Sequence, residues 1–203
     1  MTTPSTPRPT LIPLPDRLEG EHVLLRPYRE TDAAAVFAAI DASRDHLAPW
    51  MGWVDHHQGV DDTRDYCLRM EAAWLLRSAL IVGIFDRADG RYLGGTGFHE
   101  PDWDGRVFEV GYWLRPDAVG RGYVTESVRL LVDLAFGHLG ARRVELQCDA
   151  TNERSRKTAE RCGFVFEGRL RNRSRTPDGQ LRDDLIFSLI PGDPAAEPGW
   201  SPR

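Results

Sequence analysis

The chain has 203 residues, 41% of them hydrophobic and 28% charged, and its 26 basic and 31 acidic residues leave a net charge of −5. This composition is typical of one ordinary globular domain and excludes a disordered or collagen-like chain. A net negative charge also argues against a surface that binds nucleic acid as a whole. No stretch approaches the roughly 18 apolar residues of a membrane span, and the first residues lack the apolar run of a signal peptide. We therefore expect a soluble, cytoplasmic protein without nucleic-acid or membrane partners.

The cysteines and histidines give no sign of a cross-linked or metal-binding fold. The chain has three cysteines, an odd number, and they are Cys67, Cys148 and Cys162. They are widely spaced and form no CxxC pair, which favours reduced thiols over a disulfide framework. The adjacent His56 and His57 cannot share one helix face, and no HExxH motif is present. We therefore expect no bound metal.

Both ends of the chain are rich in proline. Five prolines lie in the first fifteen residues and four in the last thirteen, and proline is excluded from helix interiors and central strands. We predict flexible tails over residues 1–16 and 191–203, and one folded domain over residues 17–190.

Between the tails, hydrophobic periods predict seven strands and four helices in the order β-α-α-β-β-β-α-β-α-β-β. The strands are predicted at residues 21–27, 79–87, 92–100, 106–116, 142–149, 164–175 and 181–190. The helices are predicted at residues 33–40, 61–77, 120–136 and 152–162, with a loop or broken helix over 43–59. Because an antiparallel meander is combined with strand–helix–strand crossovers, we predict an α+β domain with a mixed, mostly antiparallel sheet of about seven strands.

The richest chemical signal is the segment RPDAVGRGYVTE, residues 115–126, where a strand ends, a glycine loop follows and a helix begins. The free N–H groups and the dipole at a helix start attract an anion, and Gly120 and Gly122 let a phosphate approach the backbone. A dinucleotide fingerprint would need a third glycine at Thr125, and a P-loop would need Gly-Lys-Ser/Thr. The residues alone therefore leave two interpretations open, a phosphate site or a plain strand-to-helix turn.

A second motif makes the pattern specific. The segments EVGYWL at 109–114, GRGYVTE at 120–126 and NERSRKTAERCGF at 152–164, followed by EG, occur in that order with a strand before the last. Together they resemble the GCN5-related N-acetyltransferase (GNAT) superfamily, and within it the RimJ/RimL type, which acetylates N-terminal amines of ribosomal proteins. The stretch Trp50–Trp53 also resembles that type. The resemblance covers roughly residues 20–190 and implies the GNAT fold, acetyl-CoA as donor and an amine as acceptor.

The resemblance implies a binding site for acetyl-CoA. The pyrophosphate would bind the backbone N–H groups from Gly120 to Tyr123, the pantetheine arm would lie along strand 109–115, and Asn152 would hold the arm from the other side. The implied contacts are Trp113, Leu114, Arg115, Val119, Gly120, Arg121, Gly122, Tyr123, Val124, Asn152 and Arg156. Asp117 departs from the family, which usually has Gln or Arg there, so Val119 and Arg121 are expected to line the phosphates instead.

The chemistry requires a neutral amine to attack the thioester carbonyl, so a group must accept a proton. Glu109, on the strand that flanks the expected thioester, is our candidate base, and an ion-paired strand carboxylate is the alternative interpretation. Weaker candidates for the base are His99, Asp104, Asp183 and Asp184. A backbone N–H near Trp113 or Leu114 is expected to hold the oxyanion.

The departing thiolate needs a partner as well. Many family members have a tyrosine four residues before the glycine of the GF pair, and this chain has Ala159 there. The resemblance to RimL-like proteins implies that Ser155 contacts the thiolate instead. A hydroxyl that caps the first helical turn is the alternative interpretation of Ser155.

Two clusters have more than one interpretation. Trp50 and Trp53 are typical of a core, or else they form a wall of the acceptor pocket. Four arginines alternate along one strand, which predicts either a solvated sheet edge or a surface for a homodimer or an acidic partner. They are Arg169, Arg171, Arg173 and Arg175.

The sequence thus predicts an enzyme that transfers acetyl from acetyl-CoA to a primary amine by direct attack in a ternary complex. The expected amine is a protein N-terminus, in the RimJ/RimL manner. The alternatives are a small-molecule amine as acceptor, a longer acyl-CoA as donor, or an acyl-CoA-binding module without turnover, which Ala159 favours.

Overall fold

In the computed structural model, which describes residues 8–200, eight strands form one sheet in the order β1-β2-β3-β4-β5-β6-β8-β7. The strands are β1 (Leu18–Glu19), β2 (Val23–Pro27), β3 (Leu80–Asp86), β4 (Tyr92–Asp102), β5 (Val107–Leu114), β6 (Arg143–Asp149), β7 (Val165–Arg175) and β8 (Leu181–Leu189). The helices are α1 (Ala33–Asp41), α2 (Arg44–Leu47), α3 (Val60–Leu76), α4 (Tyr123–Gly137) and α5 (Glu153–Arg161). Neighbouring strands pair antiparallel, except for the parallel pair β5 and β6.

The predicted α+β fold with a mostly antiparallel sheet is confirmed, with one strand and one helix more than expected. β1 pairs with β2 through only two residues, which is too short a segment for a hydrophobic period. α2 lies in the stretch 43–59, predicted as a loop or broken helix. Within residues 8–200, no helix is long and apolar enough to cross a membrane.

Helices cover both faces of the sheet because the central strands are apolar on both faces. In β3, Leu80, Val82 and Ile84 belong to the larger apolar cluster, which includes residues of α4 and α5. Ile81 and Phe85 belong to a second cluster, which includes residues of α1 and α3. The period of two along the strand therefore assigns each side chain to one of two cores.

The divergence of β5 and β6 creates the space for a site. The two strands pair only over residues 107–109 and 143–145. Beyond these residues β5 continues to Leu114 beside β4, and β6 continues to Asp149 beside β8. A wedge therefore opens between the two strands, and the edge of β5 that faces it has no backbone partner in the described part of the chain.

The packed unit continues past residue 190, where the sequence predicted a flexible tail. Ala195 and Ala196 are buried, and the carbonyl of Ala195 accepts a hydrogen bond from Arg129 of α4. The guanidinium carbon of Arg129 also lies 4.8 Å from the ring centroid of Trp200. The segment forms one short 3-10 helix, Pro194–Ala196, and its prolines do not prevent it from packing on α4.

The packed unit also begins before residue 17. Ile12 and Leu14 pack against the larger cluster, and Arg77 Nη2 donates to the carbonyl of Ile12 at 3.0 Å. The domain boundaries 17 and 190 are therefore both too narrow. The remaining parts of the predicted tails, residues 1–7 and 201–203, lie outside the described residues.

Candidate active site

A cavity of about 690 Å³ lies in the wedge between β5 and β6. Its walls come from segments that are far apart in the sequence: α2 with the residues that follow it, β5, the glycine loop with the start of α4, and the end of β6 with α5. Since β5 and β6 are neighbours in the sheet, folding brings the loops and helices at their ends to one place. The cavity is therefore the candidate active site.

Ten of the fifteen predicted site residues line this cavity. They are Trp50, Trp113, Leu114, Val119, Gly120, Gly122, Tyr123, Val124, Asn152 and Ser155. The other five, Glu109, Trp53, Arg115, Arg121 and Arg156, do not line it. Arg121 belongs to the glycine loop, but it is exposed to solvent outside the cavity wall.

The glycine loop forms an open backbone cradle. Gly120 and Gly122 have φ angles of +83° and +82°, a left-handed conformation that favours glycine. No atom lies within 4 Å of the position that a Cβ would take at either residue. The N–H groups of residues 120–125 donate to no acceptor among residues 8–200. With the positive end of the α4 dipole behind them, these groups are suited to an anion, which favours the phosphate interpretation.

Asp117, the departure from the family pattern, is neutralised by two arginines. Its carboxylate oxygens lie 3.0 Å from Arg115 Nε and 3.0 Å from Arg91 Nη1. The hydrogen bond from Arg115, and then the charges of both arginines, lower the pKa of the Asp117 carboxyl. These ion pairs hold Arg115 outside the cavity wall, so the structure does not bring Arg115 to the cradle as predicted.

The cations that line the cavity differ from those expected. Arg156 forms ion pairs with Glu153, at 2.6 Å, and with Glu160 on its own helix. Lys157 and Arg161 line the cavity instead. Residues four apart lie on one face of a helix, so this spacing in α5 was the signal that could have identified the pair.

Ser155 at the start of α5 faces Tyr112 of β5. The side-chain oxygen of Asn152 accepts a hydrogen bond from Ser155 N at 3.1 Å, and it thereby caps α5. The hydroxyl of Ser155 is therefore not needed as the cap, and its Oγ lies 2.8 Å from Tyr112 Oη. Burial raises the pKa of Tyr112 to about 12, so the phenol keeps its proton at neutral pH. Tyr112 is absent from the sequence prediction, because a phenol was expected only at the position of Ala159.

Glu109 lies where β5 and β6 part, on the opposite face of β5 from Tyr112. Its Oε2 accepts a hydrogen bond from Gln147 Nε2 at 3.2 Å, and Gln147 lines the cavity. Burial, and then the charge of Glu145 on β6, raise the pKa of Glu109. In the described residues, Glu109 has no ion pair within 4 Å. The ion-paired interpretation of this carboxylate is therefore disfavoured.

His99 is a second titratable group beside Glu109, since the two are register partners on β4 and β5. Its Nε2 lies 2.8 Å from the position that a Cβ at Gly111 would take, so a side chain there would displace the imidazole. Burial lowers the pKa of His99, which favours the neutral imidazole at pH 7. A neutral imidazole accepts protons, so His99 stays the alternative base.

The two tryptophans divide between the cavity and the core. Trp50 lines the cavity together with Met51. Trp53 packs against the second apolar cluster, and its ring centroid lies 5.7 Å from those of Trp113 and His57. The structure therefore places only the first of the two tryptophans where an acceptor could touch it.

Charged and thiol groups complete the cavity wall on β6 and β8. Arg182 Nη1 lies 3.8 Å from an oxygen of the buried Asp149, and Arg182 Nε lies 3.6 Å from an oxygen of the buried Asp184. Cys148 also lines the cavity, and burial raises the pKa of its thiol to about 11. Across the described range, no group of three or more His, Cys, Asp or Glu side chains could hold a metal ion.

The arginine-rich strand β7 is the edge of the sheet, and its pairing with β8 is interrupted. The pairing with β8 shifts between Leu170 and Ser174, where Asn172 has a φ of +52°. Arg169 Nε lies 2.7 Å from an oxygen of Asp183. The shift gives β7 two residues more than β8, and because two is an even number, Arg169 and Arg175 still lie on the same face of the sheet.

Residues 22–165 match the family model described as an acetyltransferase (GNAT) domain. The chain belongs to the GNAT acetyltransferase family. This GNAT enzyme is 28% identical over 173 residues to YdaF of Bacillus subtilis (strain 168), whose name assigns it to ribosomal N-acetyltransferases; the match covers 84% of this chain and 92% of YdaF. RimJ of Mycobacterium smegmatis, solved with a CoA-disulfide, is 28% identical, with a TM-score of 0.73 over 86% of each chain. RimL, described as a ribosomal L7/L12 alpha-N-protein acetyltransferase and solved with coenzyme A, is 19% identical and shares the fold, with a TM-score of 0.80 over 86% of this chain and 97% of RimL.

The predicted GNAT membership is confirmed, proteins named RimJ and RimL are among its structural neighbours, and the protein is an acetyl-CoA-dependent N-acetyltransferase. The residues present fit acetyl-CoA as co-substrate. The glycine loop offers free N–H groups to phosphates, and the cations Lys157 and Arg161 lie on the same cavity. The unpartnered edge of β5 offers hydrogen bonds to an extended chain of amides, in the way that a sheet accepts an added strand.

Proposed function

We propose that this GNAT enzyme transfers the acetyl group of acetyl-CoA to the free N-terminal amine of a protein or peptide, by direct attack while both substrates are bound. The observation that carries the proposal is the continuity of one cavity, which joins the glycine loop, the open edge of β5 and Trp50. A donor and an acceptor therefore have room to meet. The description of RimL and the name of YdaF support a protein N-terminus as the acceptor.

The donor is held mainly by the backbone. The free N–H groups of residues 120–125 bind its phosphates, and Lys157 and Arg161 add positive charge. The open edge of β5 binds the amides of the pantetheine arm. Because these groups are already positioned before binding, little ordering is needed when acetyl-CoA enters.

Glu109 accepts the proton that the acceptor must lose. An N-terminal ammonium has a pKa near ~8, so a carboxylate with a raised pKa is a better matched base than an ordinary one. Gln147 donates to Glu109 and also lines the cavity. Glu109 itself does not line the cavity, so the proton reaches it through an intervening water.

Ser155 donates a hydrogen bond to the sulfur as the thioester breaks. The new C–N bond forms, the C–S bond breaks, and the electron pair of that bond stays on the sulfur. The ammonium gives one proton to Glu109 before the attack, and the attacking nitrogen loses a second proton, which ends on the sulfur. CoA therefore leaves as a thiol and the protons balance. Ser155 suits this role because its backbone N–H, and not its hydroxyl, takes part in the cap of α5.

The test uses the full chain with acetyl-CoA and short peptides that begin with Ser or Ala. The matched control peptides have a blocked N-terminus and an internal lysine. We expect mass spectrometry to find acetyl on the free N-terminus and none on the control peptides. Acetylation of the lysine, or of small amines alone, would contradict the proposed acceptor. Acetyl-CoA binding without acetylation of any amine would contradict direct transfer.

A further inference from the structure

We infer that Tyr112 is a positioning residue, which directs the hydroxyl proton of Ser155 towards the sulfur of CoA. The inference rests on the proposed function of Ser155 and deepens it. It assigns a role to a tyrosine of β5, on the opposite wall of the cavity from α5.

The starting observation is a hydroxyl pair that spans the wedge. Tyr112 Oη and Ser155 Oγ are 2.8 Å apart, although the two residues are 43 positions apart in the sequence. Only one hydrogen can lie between two hydroxyl oxygens. Whichever residue supplies that hydrogen leaves the proton of the other free to point elsewhere.

A third hydroxyl, that of Thr158, limits which protons can reach Tyr112. Its Oγ1 donates to the carbonyl of Arg154 at 3.0 Å and accepts from Arg161 Nη2 at 3.2 Å. Thr158 therefore has no proton to give to Tyr112 Oη, although its oxygen keeps a lone pair for a second donor. Tyr112 has its own proton for the bond to Ser155 Oγ, and we assign Tyr112 as the donor of that bond.

The consequence is an oriented serine. Since Tyr112 donates to Ser155 Oγ, the proton of Ser155 cannot point at Tyr112 and is left for the cavity, whose wall beside Ser155 also holds the Cys148 thiol. A serine hydroxyl without this donor samples all its staggered positions. The net value of one such hydrogen bond corresponds to about a tenfold change in rate when it acts only in the transition state.

A purely structural role is the competing explanation, because Tyr112 also holds α5 against β5. That role predicts lower stability and weaker binding of acetyl-CoA, and it predicts no special relation to Ser155. The positioning role predicts a loss in kcat with little change in KM, and this loss must depend on the Ser155 hydroxyl.

The experiment compares Tyr112→Phe, Ser155→Ala and the double variant with the wild type, with acetyl-CoA and a peptide that begins with Ser. We expect Tyr112→Phe to lower kcat about tenfold, with KM for acetyl-CoA nearly unchanged. In the Ser155→Ala background the same change should cost nothing further. Tyr28→Phe is the matched control, because it removes a buried phenol that lies 2.8 Å from Tyr92 Oη in the second cluster. It should lower the melting temperature and leave kcat unchanged.

If the fold-loss of kcat in the double variant equals the product of the losses in the two single variants, the inference is overturned. A kcat of Tyr112→Phe equal to that of the wild type would overturn it as well. A fluorinated tyrosine at position 112 provides a second measurement that keeps the fold. Its phenol is more acidic, so the loss of kcat at alkaline pH should begin at a lower pH than in the wild type. A loss that begins at the same pH counts against the inference. A wild-type protein that acetylates no amine would instead refute the proposed function.

Discussion

The glycine cradle allows a sharp test of the donor site through Gly122→Ala. Gly122 has a φ of +82°, precedes α4 and has no atom within 4 Å of its absent Cβ. A methyl group there meets no protein atom, but it disfavours the left-handed conformation in which the loop presents its free N–H groups. The substitution therefore perturbs the backbone conformation and the anion site, but not the packing.

Two magnitudes follow from this geometry. The left-handed conformation costs a non-glycine residue about 1–2 kcal/mol, which lowers the melting temperature by roughly 2–8 °C in a domain of this size. A hydrogen bond from an N–H group to a charged phosphate is worth about 1.5–3 kcal/mol. Displacing one such bond should weaken acetyl-CoA binding by about 10- to 100-fold.

Gly140→Ala is the matched control at the other end of α4. Gly140 has a φ of +66° and also has no atom within 4 Å of its absent Cβ, but it does not line the cavity. Thermal unfolding should show a similar loss of stability for both variants. Calorimetric titration with acetyl-CoA should show weaker binding for Gly122→Ala alone. Equal affinities in the two variants would refute the assignment of the loop as the phosphate site.

Three other predictions concern single side chains. Glu109→Gln should lower kcat by about 10²- to 10⁴-fold. Because burial raises the pKa of Glu109, the wild-type rate should already fall at a pH higher than that at which an ordinary carboxylate takes up a proton. If the variant keeps the same loss of rate at acidic pH, Glu109 is not the base. Lys157→Ala should raise KM for acetyl-CoA, more at low salt than at high salt, whereas Arg156→Ala should leave it unchanged; equal effects in steady-state kinetics would contradict the division of the two cations. Trp53→Ala should cost about 3 kcal/mol of stability in denaturant unfolding, whereas Trp50→Ala should mainly raise the KM of the acceptor, and the reverse result would contradict their placement.

The sequence by itself determined the layout of the elements and the family. Hydrophobic periods and the left-handed preference of glycine are local properties, so seven strands and the Gly120–Gly122 loop could be predicted. β1 was not predicted because two residues carry no period. The prediction of flexible tails was wrong for residues 8–16 and 191–200, because proline disfavours long helices and central strands but not packing against the core.

Only the tertiary structure decided which side chains face the cavity. Arg156 and Lys157 are adjacent in the sequence, yet the turn of α5 places one among its own carboxylates and the other on the cavity wall. Tyr112 and Ser155 meet because β5 and β6 diverge and α5 begins at the far wall of the wedge. No local pattern encodes a distance between residues 43 positions apart. Such pairs arise from the sheet order, which is a property of the whole fold.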